Sequence, residues 1–203
     1  MNFSALILAG GKSSRLEHTP KAGLSNGENT LLDCALAASS AARARVVVGP
    51  GSLPVPADTL HTREDPPFSG PAAGIHAGLE ALAAHYETTG EEPAPWCLIL
   101  GVDTPLVAPA VQLLLEHAES APAKLNGFWG ISEGVYQPLI GIYRFEPLRV
   151  CFARGTTDAS VRRFLRKLEP QALELPAGST RDVDTWEQAH ELGFTQPAWT
   201  EYL

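Results

Sequence analysis

The stretch Leu6–Leu16 reads LILAGGKSSRL: four apolar residues run straight into two glycines, a lysine, two serines and an arginine. An apolar run this short, closed by Gly-Gly, has the length of a buried strand rather than of a helix. Gly10 and Gly11 let the backbone turn tightly and come close to a ligand. Successive backbone N–H groups in such a loop, here Gly10 to Ser13, can cradle phosphate oxygens. The spacing matches neither G-x-x-x-x-G-K-[ST] nor G-x-G-x-x-G. Many α/β folds carry a strand followed by Gly-Gly as turn chemistry alone, so other stretches must decide between the two readings.

Outward from that strand, Leu6–Ala9, the chain alternates. Leu31–Ala42 is rich in Ala and Leu and reads as a helix, and Arg45–Val48 as a second short strand. Gly70–His85 opens with Gly-Pro and continues as a helix with Ile75, Leu79 and Leu82 on one face. Trp96–Leu100 is another buried strand and Ala110–Ala118 another helix. Alternating strands and helices predict an α/β fold, a mostly parallel sheet with helices on both faces. Ligands of such sheets bind beyond the carboxyl ends of the strands.

The second half changes character. Gly134–Arg144 carries aromatic and β-branched residues around a Pro and reads as an extended segment returning to the sheet. Ser160–Leu168 reads as a basic helix, and Thr185–Leu192 as a final helix capped by Asp184 or Thr185. Gly49–Pro56 and Thr89–Pro95 read as surface loops. No repeat, low-complexity tract or linker divides the chain, so residues 1–203 are expected to form one domain.

Composition bounds the function. Of 203 residues, 44% are hydrophobic and 19% charged, enough for a full core. No apolar run reaches membrane-spanning length. The apolar start MNFSALILAGG lacks a basic n-region and a cleavage site, and reads as a first strand rather than a signal peptide. Three widely spaced cysteines, Cys34, Cys97 and Cys151, argue against a disulfide framework and a zinc site and suit buried thiols in a reducing cytoplasm. A net charge of −8 makes a poor nucleic-acid binder. Phosphates would have to be handled by a local basic cluster, and Lys12, Arg15 and Lys21 supply one.

Three further stretches carry chemistry. In LILGVDTPLV, Leu98–Val107, a buried strand ends at Asp103. A carboxylate there can hold Mg²⁺, which takes one or two carboxylates plus substrate phosphates; it can equally cap the next turn. In RDVDTWEQA, Arg181–Ala189, Asp182 and Asp184 alternate and share a face of an extended segment. They can supply a second metal ligand or an N-cap. In REDPPFSGPAAGIHAGL, Arg63–Leu79, Asp65 precedes Pro-Pro, and Gly74 and Gly78 interrupt a helix at a cost in stability. Close approach of a ligand explains them, and so does tight helix–sheet packing.

Taken in order, LAGGKSSR, the lysine six residues after Arg15, ED…SGPAAGI, VDTPLV, QPLIGIY and DVDT-x-E resemble the MobA-like nucleotidyltransferase family. The resemblance covers about Ala5 to Leu192 and implies a single-domain, Rossmann-like nucleotidyltransferase fold. It implies GTP binding through Leu8, Ala9 and Gly10, with Gly11 beside them, phosphate contact by Lys21, a nucleoside contact by Asp65 and Mg²⁺ on Asp103; the alternating aspartates add Asp184 as a candidate further metal ligand. The implied reaction moves GMP from GTP onto the phosphate of a molybdopterin-type cofactor, with Arg15, Lys21 and Asp103 as catalytic residues. Molybdoenzymes or cofactor-delivery proteins would be the protein partners, with no nucleic acid and no membrane.

The chain departs from the family pattern at several points. Glu17-His18 stands where the family usually has Gly-Gly, and Pro20 where it has Asp before the lysine. Gly49 replaces an asparagine, and Gln137-Pro138 a His-Pro. Asp182-Val183-Asp184 resembles the version common in the cytidylyl branch, whereas LAGG and GPAAGI favour guanine. Arg154, Arg162, Arg163, Arg166 and Lys167 form a basic cluster that suits either docking of the acceptor's phosphate or a solvated helix face. The alternatives are another transferase of the same fold, acting on a sugar phosphate, cobinamide phosphate or cytidylyl acceptor, and a non-catalytic nucleotide-binding module.

Overall fold

The computed structural model describes residues 1–11, 14–17 and 19–197. Lys12, Ser13 and His18 therefore lie outside the described residues. The opening stretch forms β1 (Phe3–Leu8), which starts three residues before the apolar run and ends one residue short of it. A short β2 (Leu24–Ser25) precedes α1 (Leu31–Ala38). Helix α1 starts on a capping box between Thr30 and Asp33. It stops four residues before the expected Ala42, because Ser39 Oγ donates back to the carbonyls of Ala35 (2.9 Å) and Leu36 (3.3 Å). Side chains of this type compete with the helix for its own backbone groups.

Strands β3 (Ala44–Val48) and β4 (Leu60–Thr62) follow, then α2 (Pro71–Thr89). Pro71 opens α2 where its missing N–H is harmless, and Gly90, at φ 68°, closes it. The helix thus runs four residues past the expected end, taking in Thr89. Strand β5 (Trp96–Gly101) and α3 (Ala108–Glu119) complete the first half.

In the second half, β6 (Gly127–Ser132) and β7 (Val135–Arg144) form a hairpin. Its two-residue turn is Glu133-Gly134, both with positive φ (51° and 77°), the conformation that matches the twist of the flanking strands. Gly134 is therefore turn rather than strand. The register shifts between Trp129 and Gly130, opposite the stretch that holds Pro138, which cannot donate to the ladder. Then come α4 (Phe145–Phe152), α5 (Val161–Leu165) running into a 3-10 turn at Arg166–Leu168, β8 (Gln171–Glu174), α6 (Trp186–Glu191) and β9 (Gln196–Pro197), which pairs with β2. Thr185, not Asp184, caps α6, in a capping box with Gln188.

The large sheet has the order β4-β3-β1-β5-β7-β6-β8. All its pairs are parallel except those of β7, which runs against both neighbours. On one face Leu6, Val46, Val48 and Ile99 pack against Ile75, Leu79 and Leu82 of α2, extended by Phe145, Phe152 and Phe164 of α4 and α5. On the other, Ile7 and Val47 pack on Leu31, Leu32 and Ala35 of α1, and Leu98 and Leu100 on Val111 and Leu114 of α3. Alternation of Leu6 and Ile7 along β1 thus feeds opposite layers. Among the described residues no helix is long and apolar enough to cross a membrane.

Candidate active site

A cleft of about 490 Å³ opens beyond the carboxyl ends of β1, β3 and β5. Its floor is set by two hydrogen bonds. Ala9 N–H donates to the Val48 carbonyl (2.8 Å), and Val102 N–H donates to the Leu8 carbonyl (3.0 Å). These pin the loop after β1 between the ends of β3 and β5. Leu8, Gly10 and Gly11 line the cleft, whereas Ala9 is buried beneath it. The Leu8 carbonyl and Ala9 N–H are occupied by the sheet, so the loop's backbone donors toward a ligand begin at Gly10. Gly11 has φ 142°, which a side chain rarely tolerates. Gly49 allows the close approach of β3 to this loop: a Cβ there would stand 3.2 Å from the Ala9 carbonyl carbon and 2.7 Å from Leu53 Cδ1.

The charged centre is built from three remote segments. Lys21 begins a 3-10 turn after Pro20. Asp103 follows β5, and Asp184 precedes α6. The Val183 N–H donates to the Asp103 carbonyl (2.9 Å), which ties the segment before α6 to the end of β5. Lys21 Nζ donates to Asp184 Oδ1 and stands 3.8 Å from Asp103 Oδ2. Arg15 Nη1 is 3.7 Å from Asp184 Oδ2. Because Thr185 and Gln188 satisfy the helix start, the Asp184 carboxylate is left for the cations. Asp182, two residues before it, accepts from Gln188 Nε2 (3.3 Å) and does not line the cleft.

Burial pushes the Asp103 carboxyl above the usual aspartate range, Lys21 and a backbone N–H pull it down, and Asp184 and Asp182 push it up again. Asp184 keeps Lys21 on one carboxylate oxygen and has Arg15 at 3.7 Å from the other. Gly101 makes room for Asp103, since a Cβ there would meet Asp103 Oδ1 at 2.6 Å. Two hard oxygen donors sharing one lysine suit a divalent cation that takes its remaining ligands from phosphates and water. Among the described residues no cluster of three or more His, Cys, Asp or Glu forms a closed metal cage.

Of the other residues singled out from the sequence, Asp65 is exposed and is not part of the cleft lining; its neighbour Glu64 is. Glu64 carries no local signal in the sequence that sets it apart from Asp65, and only the bend after β4 decides which of the two side chains faces the cleft. Phe68 also lines the cleft, and its aromatic character two residues before Gly-Pro is the one sign of it in the sequence. Gly74 both lines the cleft and admits Leu8 Cδ2, 3.0 Å from a Cβ built on it. Gly78 is explained by packing alone, with Leu6 Cδ1 at 2.6 Å. Glu17, in place of a family glycine, stands at φ 52° in the left-handed region that glycine favours. The basic residues Arg154, Arg162, Arg163, Arg166 and Lys167 are exposed and none lines the cleft; Arg162 lies over the Tyr136 ring (4.7 Å). Cys97 is buried, its thiol pushed up to about 12, while Cys34 and Cys151 are half-buried and all three are free.

A mostly parallel sheet with a glycine loop, two carboxylates and two cations at the carboxyl ends of its strands has these groups where α/β proteins hold their ligands. Comparison with known proteins narrows the class. Residues 5–172 match the family model of the MobA-like NTP transferase domain. A molybdenum cofactor guanylyltransferase of Pseudomonas paraeruginosa is 35% identical over 130 residues, 62% of this chain, and the alignment spans 58% of that relative's length. Among solved structures, molybdopterin-guanine dinucleotide biosynthesis protein A of Archaeoglobus fulgidus superposes with a TM-score of 0.68 at 17% identity, over 93% of this chain and 95% of its own. A 2-C-methyl-D-erythritol 4-phosphate cytidylyltransferase of Thermus thermophilus does so with a TM-score of 0.66 at 20% identity, over 95% and 99%. At those identities the two structures speak for the fold alone. This chain belongs to the MobA-like NTP transferase family.

Proposed function

We propose that this chain is a Mg²⁺-dependent nucleotidyltransferase that moves GMP from GTP onto the phosphate of a molybdopterin-type cofactor. One observation carries the reading: Asp103, Lys21 and Asp184 meet beside the Gly10–Gly11 loop, at the carboxyl ends of the strands. Family membership and the names of the relatives support the substrates.

The acceptor's terminal phosphate is already ionised at neutral pH, so its oxygen attacks the α-phosphorus of GTP without a general base. A new phosphorus–oxygen bond forms, the bond between the α-phosphorus and the bridging oxygen breaks, and the electron pair leaves with pyrophosphate. The protein's task is to align two anions and neutralise the developing charge. Lys21 and Arg15, held at the carboxylates, supply mobile positive charge for the phosphates. Gly10 and Gly11 supply fixed backbone dipoles. Asp103 and Asp184 would hold Mg²⁺, which supplies Lewis-acid neutralisation of phosphate oxygens when bound. Glu64, which lines the cleft where Asp65 does not, offers a carboxylate for the nucleoside contact that the family resemblance gives to Asp65.

The test is turnover by purified protein with Mg²⁺, each of the four NTPs and a molybdopterin-type acceptor. Pyrophosphate release with GTP and with none of the other three is the expected result. Turnover with CTP instead would move the chain to the cytidylyl branch, and GTP binding without turnover would make it a nucleotide-binding module.

A further inference from the structure

Lys21 engages the same two carboxylates that suit a divalent cation. Its Nζ donates to Asp184 Oδ1 and stands 3.8 Å from Asp103 Oδ2, and Arg15 Nη1 is 3.7 Å from the other Asp184 oxygen. Two carboxylates and two cations cancel within this cluster. Other acidic groups nearby are engaged elsewhere: Glu64 accepts from the Phe68 N–H (2.9 Å) and Asp182 from Gln188 Nε2 (3.3 Å). Among the described residues no third ligand joins Asp103 and Asp184 in a cluster that could hold a metal without help. An ammonium nitrogen lies about 2.7–2.9 Å from the carboxylate oxygen it bonds, and Mg²⁺ about 2.0–2.1 Å from its ligand oxygens. Both draw on the same lone pairs, and two cations drawn to one carboxylate pair repel each other. The Lys21 backbone is fixed, with Gly23 N–H donating to the Pro20 carbonyl (3.0 Å) and Ala22 and Gly23 buried. Its side chain is 21% exposed and carries a point charge on a flexible four-carbon stem, so the ammonium can move while the turn stays.

Resting on the nucleotidyl-transfer reading, we infer that Lys21 competes with the divalent cation for Asp103 and Asp184, and that the nucleotide's phosphates, by drawing the ammonium away, open the two carboxylates to the metal. Metal alone meets a cluster whose charge is already balanced. Phosphates bring the negative charge that a second set of positive charges requires, and they give Lys21 another partner. Metal and nucleotide therefore bind with positive coupling, and each raises the affinity for the other by the same factor. Lys21 thus makes the order of loading a property of the site: the carboxylates accept a metal well only when there are phosphates for it to act on.

The experiment measures two ligands separately. Mn²⁺, which favours the same oxygen donors as Mg²⁺, is titrated alone and its free ion counted by electron paramagnetic resonance; GTP is titrated by calorimetry in EDTA. Lys21→Met should bind Mn²⁺ about tenfold more tightly than wild type, equivalent to about 1.4 kcal/mol, and metal-free GTP more weakly. A lysine with a merely structural role would not move the two in opposite directions. Lys21→Arg, which keeps the charge, should bind Mn²⁺ as weakly as wild type. Adding Asp103→Asn to Lys21→Met should remove the gain. The inference is overturned by Mn²⁺ binding in Lys21→Met no tighter than in wild type, by unchanged metal-free GTP binding in that variant, by an equal gain in Lys21→Arg, or by a gain that survives Asp103→Asn. In each of those cases wild-type pyrophosphate release from GTP and Mg²⁺ leaves the proposed function standing, and its failure overturns that reading separately. If Lys21→Met does not fold, Lys21→Gln, whose neutral amide can still donate to Asp184, takes its place and is read in the same way.

Discussion

Replacing Lys21 by Met removes one charge from the centre of the cleft and keeps the side chain's length. Lys21 Nζ stands 3.8 Å from Asp103 Oδ2 and also contacts Asp184. Two unit charges at that separation attract by about 4 kcal/mol at an effective dielectric constant of about 20. Water regained by the carboxylates offsets much of that. The Lys21 side chain is 21% exposed and the two carboxylates 35% and 37%. The cluster lies between buried pairs, where losing one partner costs about 3–5 kcal/mol, and surface pairs worth about 0–1 kcal/mol. A net loss of about 2 kcal/mol of folding stability is the expectation, and at about 2–4 °C per kcal/mol it lowers Tm by about 4–8 °C. GTP·Mg²⁺ affinity should fall about tenfold, as a cation facing phosphates is lost. Lys21→Arg should recover only part of the binding, because guanidinium and ammonium differ in geometry and hydration. Adding Asp103→Asn to Lys21→Met should restore part of the stability and none of the turnover, since one of the two carboxylates that lost Lys21 is gone. Thermal unfolding and calorimetry read both effects. An unchanged Tm together with unchanged GTP affinity in Lys21→Met would show that Lys21 is a surface lysine and refute the electrostatic account.

Asp103→Asn alone should abolish metal-dependent turnover and leave the circular dichroism spectrum intact. In metal-free protein it should also flatten the acid side of the stability profile. Burial holds the folded carboxyl above its ordinary value, so the unfolded chain releases this proton first, and wild-type stability declines as pH rises from the ordinary aspartate value to the folded one. Above that window the variant should be the more stable protein in thermal melts. GTP should outcompete CTP, ATP and UTP in a displacement titration, and Glu64→Gln should narrow that preference, since each unpaired buried polar group costs about 1–3 kcal/mol; equal displacement by CTP would overturn the guanine assignment. Gly78→Ala should destabilise by about 1–2 kcal/mol in chemical denaturation, because its Cβ would meet Leu6 Cδ1 at 2.6 Å and Val48 Cγ2 at 2.9 Å, and the gain in helix propensity is smaller than that overlap.

The apolar run at Leu6–Ala9, the Gly-Gly after it and the alternation of Leu31–Ala42, Trp96–Leu100 and Ala110–Ala118 determined the α/β class and the end of the sheet that carries the cleft. Those signals are local: strand length, helix period and turn residues are written in neighbouring positions. Ordered motifs also marked Lys21, Asp103 and Asp184 one at a time. Only the tertiary structure decided that the three form one charged centre, because the Val183–Asp103 hydrogen bond that joins two of the segments links residues far apart in the chain. It also decided between neighbours that sequence treats alike. Thr185 rather than Asp184 caps α6, which leaves Asp184 to face Lys21. Glu64 rather than Asp65 lines the cleft. In both cases a shift of one residue reverses which way a side chain points, and that phase is set by what the segment packs against. The same reason hid β4 and β8, edge strands of three and four residues, too short for a period of two to show, whose pairing is fixed by the strands beside them.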